Sequence, residues 1–195
     1  MGKNKVNERL LIREGYKLLR KTGYYNTNID QIADRLNITK SAFYSFFKNK
    51  DEFVEAVLHY YVIIVLARID RTLGDIDLSP KQRLVKLYSD YIDYYMNNGG
   101  EIYGNFASSI EIEIGDKNKN IQDKVKLFYS RMKDSHVDCL QAARRAGEID
   151  KSQDTEKLAM LIISAWESSI SRVKATGNIR SLIAFRELLK DFILR

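Results

Sequence analysis

From Thr27 to Lys50 the chain reads TNIDQIADRLNITKSAFYSFFKNK, and the spacing within it predicts two short helices joined by a tight turn. Ile29, Ile32, Ala33 and Leu36 fall on one helical face. Thr27 with Asp30 three residues on has the form of a capping box, which opens the first helix. Asn37 suits the left-handed position that closes it, and Ile38 then plugs the space between the two helices. Thr39 is the next N-cap, and residues 40–47 form the second helix, with Phe43, Phe46 and Phe47 on its apolar side. Lys40, Ser41, Ala42, Tyr44 and Ser45 lie at its start and outer side and, with Thr27, Thr39 and Lys50, are the candidate DNA contacts. The short side chains among them, Ser41, Ala42 and Ser45, allow close approach to DNA, Lys40 supplies charge, and Tyr44 and Ser45 supply hydroxyls for phosphate or base edges. This is a helix-turn-helix pattern, with residues 40–47 as the segment that enters the major groove.

The charge distribution agrees. Residues 1–50 hold 11 Lys/Arg against 4 Asp/Glu, net +7, whereas residues 51–195 hold 21 against 22, net −1. All the excess positive charge of this +6 chain therefore lies with the helix-turn-helix pattern. A solvated basic face would account for the charge alone, but not for the charge and the motif together.

With 195 residues, 45% apolar and 30% charged, the chain can bury a substantial core. A single Pro and the abundance of Leu, Ile, Lys, Glu and Ala predict an all-α protein. Lone Cys139 excludes an internal disulfide, and no Cys/His cluster has zinc spacing, so neither metal nor cofactor is expected. The longest apolar run, residues 60–67, is too short to span a bilayer, and no apolar segment resembles a signal peptide; a soluble, cytoplasmic protein without membrane partners is expected. Two histidines, no Gly-rich phosphate loop and no clustered carboxylates argue against an enzyme.

Before the motif, residues 1–5 form a basic arm, and residues 6–22 a helix ended by Gly23. After it, Asn49 and Glu52 predict an N-cap and N3 pair opening a helix that runs from Lys50 to Gly74, about 36 Å at 1.5 Å per residue. Lys50 at its N-terminus is placed to reach phosphate. Further helices are predicted over residues 81–97, opened by Ser79-Pro80, and over 101–114, 121–146, 154–176 and 181–194. The division expected is a three-helix DNA-binding head, residues 1–50, and a larger helical body, residues 51–195.

In the body, Tyr88, Tyr91 and Tyr95 share one helical stripe. With Tyr103, Phe106, Phe128, Met132 and Trp166 they are candidates for the walls of a small-molecule pocket. Core packing explains any one of them, yet twelve tyrosines are many, and each buried hydroxyl needs a partner. His136 and Cys139 share a helix face; a buried thiol and a hydrogen-bonded histidine are favoured over a redox or nucleophilic pair. The last two helices are apolar beyond one stripe, through Leu158, Leu161, Ile162, Ala165, Ile170, Val173, Leu182, Ile183, Phe185, Leu188 and Phe192. Burial on two sides, as in a four-helix interface between two copies, would explain that width; a helix buried within a monomer is the plainer alternative.

Residues 23–52 resemble the TetR/AcrR family of bacterial repressors. The family pattern of Gly-Tyr, Thr-Ser/Thr-Ile/Val, Ile-Ala, Val-Ser-Lys-Gly-x-Leu/Phe-Tyr-x-Tyr-Phe and Lys-x-Glu is matched by Gly23-Tyr24, Thr27-Asn28-Ile29, Ile32-Ala33, the run from Ile38 to Phe47, and Lys50-Asp51-Glu52. Ser41 replaces the usual glycine, and Leu36-Asn37 the usual Ala-Gly. Gly104-Asn105 and Ala165-Trp166-Glu167 are similar to a subset with small-molecule or electrophile sensors, although Glu101-Ile102-Tyr103 lacks the cysteine some of these carry. The resemblance implies a homodimeric repressor whose body, residues 51–195, is a ligand-binding and dimerisation domain joined to its copy through the last two helices. It binds double-stranded DNA at a palindromic operator and is released by a small-molecule effector. The alternative reading is a helical small-molecule- or lipid-binding protein or enzyme whose basic head does not read DNA sequence.

Overall fold

The structure, a computed structural model, describes residues 7–97 and 104–193. Among these there are helices and turns and no strand: α1 (Glu8–Thr22), α2 (Ile29–Leu36), α3 (Lys40–Tyr44), α4 (Lys50–Leu73), α5 (Pro80–Asn97), α6 (Phe106–Ile114), α7 (Lys119–Arg145), α8 (Thr155–Thr176) and α9 (Arg180–Leu188), followed by a π-helical turn, Leu189–Ile193. Contacts divide the chain into two compact units. The first takes residues up to Ile64 together with Phe106–Leu127; the second takes Val65–Asn105 and the chain from Phe128 on. The contact boundary thus differs from a cut at residue 50, because the first half of α4 belongs to the core of the helix-turn-helix. Phe53 is fully buried, with its ring 5.2 Å from Phe43 and 5.1 Å from Phe47.

In the first unit α1 starts where the Asn7 side chain accepts the Leu10 N–H, and ends at Gly23, whose φ of 78° is open to glycine. Its buried face carries Leu11, Gly15 and Leu19. The cap of α2 sits one residue later than the sequence suggested: Asn28, not Thr27, is the N-cap, and its capping-box partner is Gln31, not Asp30. Asn37 takes the left-handed conformation at φ 51° that ends α2. The next helix, α3, is shorter than expected and stops at Tyr44 instead of residue 47. There the Ser45 hydroxyl donates to the Ala42 carbonyl (2.7 Å), and the Phe46 N–H bonds to Phe43, giving a tightened last turn. Phe43 and Phe47 are buried, whereas Phe46 turns outward, 37% exposed. As expected, Asn49 caps α4, accepting the Glu52 N–H at 2.8 Å, while the Glu52 carboxylate reaches back to the Lys48 N–H.

The second unit is built from α5, α8 and α9 with parts of α4 and α7. Leu84, Leu87, Tyr88 and Ile92 form the buried face of α5; Tyr91 and Tyr95 are only half-buried. Asp154 caps α8 through the Glu156 and Lys157 N–H groups, and Gly177 ends it at φ 67°. Against it packs α9, with the Ser181 hydroxyl donating to the Ser169 carbonyl at 3.0 Å. Residues 98–103, including Tyr103 and the expected start of the sixth helix at residue 101, lie outside the described residues.

Candidate functional site

The candidate nucleic-acid surface is the outer side of α3. Thr39, Lys40, Ser41, Tyr44 and Ser45 are exposed and Ala42 is half-exposed. Beneath them the Phe43, Phe47 and Phe53 rings fix the helix, each pair contributing about 0.5–1.5 kcal/mol beyond area burial. The Thr39 hydroxyl caps α3 through the Ala42 N–H at 3.1 Å. Lys40 Nζ reaches the Asp30 carboxylate at 2.8 Å, with more than half of each side chain in solvent. Tyr44 is 50% exposed with its ring edge-on to Phe43.

Two of the nominated DNA contacts stand elsewhere. Thr27 is buried: its hydroxyl donates to the Gly23 carbonyl (2.7 Å) and lies 2.6 Å from Thr22 Oγ1, so it fastens the α1–α2 turn from inside. Lys50 points into the first unit. Its ammonium donates to the Tyr24 carbonyl at 2.6 Å and lies 3.9 Å from the centroid of the Tyr24 ring, and burial holds its pKa below the usual lysine range, against the opposing charges of Asp51 and Glu113. Tyr24 in turn donates to Asp51; burial and then that bond push its pKa up to about 12. Tyr25 is tied through its N–H and its hydroxyl to the Glu113 carboxylate and carbonyl, both at 3.1 Å.

The α1 and α2 helices are joined by a carboxylate the sequence did not single out. Glu14 takes Lys17 at 2.7 Å, Arg13 at 3.5 Å and Arg35 at 3.6 Å. Burial would raise its pKa, but the bond and charge of Lys17, then Arg13 and Arg35, outweigh it and leave it lowered.

The candidate effector cluster lies in the second unit. Tyr88 is buried with its ring 5.1 Å from Trp166, and Tyr91 stands 5.7 Å from the same indole. Met132 and Phe128 are buried, Phe128 beside Tyr129 at 5.3 Å, and Tyr95 stands beside Tyr94. Phe106, by contrast, belongs to the first unit, packed edge-on against Tyr16 (5.3 Å) and Tyr61 (5.5 Å).

Polar groups punctuate the aromatic walls. His136 Nδ1 lies 2.7 Å from the Met132 carbonyl, which can only accept, so that nitrogen carries the proton. Nε2 is then the acceptor for the Tyr88 hydroxyl at 2.7 Å. Burial keeps the ring neutral, with its pKa near 4, and holds the Tyr88 hydroxyl protonated. On the other side of Trp166 in sequence, the half-buried Glu167 accepts from Asn105 Nδ2 (2.5 Å) and from Tyr129. Burial raises the Glu167 pKa, and those two bonds oppose the rise. Asn105 and Glu167 were visible in the sequence only through family resemblance; Tyr129 carried no signal, because these partners come from other segments of the chain. Cys139 is apart from His136 chemistry: its thiol faces the Pro80 carbonyl at 3.3 Å, and burial pushes its pKa up to about 11, so it is an inert thiol.

A helix-turn-helix on a rigid aromatic base and a helical unit with a polar-tipped aromatic cluster define a ligand-responsive DNA-binding regulator. Comparison with known proteins gives the family. Residues 11–57 match the family of bacterial regulatory proteins called tetR, and residues 80–189 match the tetracyclin repressor-like C-terminal domain. The chain belongs to the TetR family of transcriptional regulators. It is 22% identical over 184 residues to the HTH-type transcriptional repressor DhaR of Mycobacterium sp. strain GP1, covering 94% of this chain and 90% of that one. It is 25% identical over 164 residues to the transcriptional regulator AcuR of Cereibacter sphaeroides, covering 84% and 74%. Among solved structures it is similar to a regulatory protein TetR from Rhodobacter sphaeroides, with a TM-score of 0.84 at 23% identity over 92% of this chain and 94% of that one. Reduced NemR of E. coli has the same fold, with a TM-score of 0.82 at 16% identity over 94% and 95%. Among the described residues no helix is long and apolar enough to cross a membrane.

Proposed function

We propose that this chain is a cytoplasmic repressor that grips a palindromic operator as a homodimer and releases it when a small molecule occupies the cluster around Trp166. The observation that carries the reading is the outer face of α3. Five exposed polar side chains stand on and beside a short helix anchored from beneath by the buried Phe43, so they face solvent on a fixed base. Thr39, Lys40, Ser41, Ala42, Tyr44 and Ser45 are the proposed contacts. That DhaR is named a repressor supports repression over activation.

The dimer is proposed to form through α8 and α9. Met160, Leu161 and Leu188 are 57%, 54% and 50% exposed there, an apolar surface that a second copy would cover. Effector binding then acts by population shift. The ligand favours one of two states with different head spacing, and α4, a single helix with residues in both units, is the proposed carrier.

A release assay tests this. Compounds are screened for dissociation of the protein from its selected DNA site, and Trp166, the only tryptophan, is followed by fluorescence. A compound that frees the DNA should also change Trp166 emission. A releasing compound that leaves the emission untouched places the effector elsewhere.

A further inference from the structure

Within the second unit the half-buried arginines have partners, with one exception. Arg83 donates to the Leu78 and Leu73 carbonyls, Arg144 to the Gln153 carbonyl, and Arg186 pairs with Asp93. Arg68 on α4 is half-buried too, yet among the described residues it has no carboxylate or carbonyl partner. Its guanidinium lies over the Tyr91 ring, 4.0 Å from the centroid. Stacking of this kind engages the face of the guanidinium and leaves the N–H donors at its edge free. The open edge of this half-buried guanidinium is therefore available to an incoming acceptor that can displace water from it. The Tyr91 ring also neighbours Trp166 at 5.7 Å, so the arginine sits at one end of the aromatic cluster, and the ring that would orient it also lines that cluster.

We propose that Arg68 is the anion anchor of the effector site, and that the effector carries a planar carboxylate received by the guanidinium edge, with an apolar body lying along Tyr91 and Trp166. The proposal rests on the reading that this cluster takes the effector. A carboxylate matches the fork of a guanidinium in a bidentate pair, which a point-charge ammonium cannot reproduce. Glu167, next to Trp166 in sequence, already has Asn105 and Tyr129 as donors.

Benzoate and its neutral isostere benzamide provide the test. Binding of each is measured by calorimetry at fixed ionic strength, with Trp166 fluorescence as a local reporter. Benzoate should bind at least tenfold more tightly than benzamide. Arg68→Gln should abolish that preference, and Arg68→Lys should keep only part of it. Because Arg68 makes no hydrogen bond among the described residues, neither variant orphans a partner there, and melting curves of both check that they fold. Equal binding of the two compounds, an unchanged preference in Arg68→Gln, or no benzoate binding up to tens of millimolar overturns the proposal. The effector reading is judged separately by the release assay: a neutral releasing compound that perturbs Trp166 sustains that reading and sinks the role of Arg68.

Discussion

Lys40 and Asp30 hold each other at 2.8 Å in open solvent, a pair worth about 0–1 kcal/mol and easily exchanged for a phosphate. Lys40→Ala should therefore leave thermal stability nearly unchanged while weakening DNA binding and lowering the slope of log affinity against log salt by about one. Titrations at several salt concentrations check this, and an unchanged slope removes Lys40 from the contacts. His136 gives a second residue-scale prediction. Its folded pKa is depressed from the ordinary 6.5 to about 4 by burial, so below pH 6.5 the unfolded chain takes a proton that the folded chain refuses. Stability is then greatest above pH 6.5 and falls as pH drops, with the loss complete below about 4 and on the order of 3 kcal/mol. Urea unfolding across that window should show a shallower pH slope in His136→Gln than in the parent; equal slopes contradict it. Residue by residue, the sequence could name cap types but not choose between neighbours. Thr27 and Asn28 are both good N-caps, and only packing, which buries the Thr27 hydroxyl against Gly23, decides for Asn28.

At the scale of elements, the junction of α1 and α4 is as tight as the chain allows. A Cβ on Gly15 would stand 2.1 Å from Phe53 Cζ, and Phe53 is wedged between Phe43 and Phe47 with nowhere to turn. Gly15→Ala should thus destabilise the fold by about 1–3 kcal/mol, despite the helix propensity that alanine adds. Chemical denaturation measures it, and a stabilised variant would show that Phe53 can move. Helix positions were legible because apolar residues recur at helical spacing and Asn, Ser, Asp and Gly punctuate the ends. The length of α3 was not. Phe43, Phe46 and Phe47 fit one helical face on paper, but the Ser45 hydroxyl closes onto Ala42 and the chain turns there, which sends Phe46 outward.

For the whole molecule, periodicity tells which face of a helix is apolar but not which neighbour that face meets. Tyr88, Tyr91 and Trp166 converge, while Phe106 joins Tyr16 and Tyr61 in the other unit. The positive head was legible because charge and motif coincide in one short segment; the Asn105–Tyr129–Glu167 group was not, because three distant segments build it. Selecting bound duplexes from a random DNA pool with the purified protein, and sequencing them, decides whether two copies of α3 enter successive major grooves. One enriched motif is expected, with inverted half-sites whose centres lie one helical turn, about 10 base pairs, or a multiple of it apart. Recovery of no motif, or of a single half-site without dyad symmetry, would contradict it.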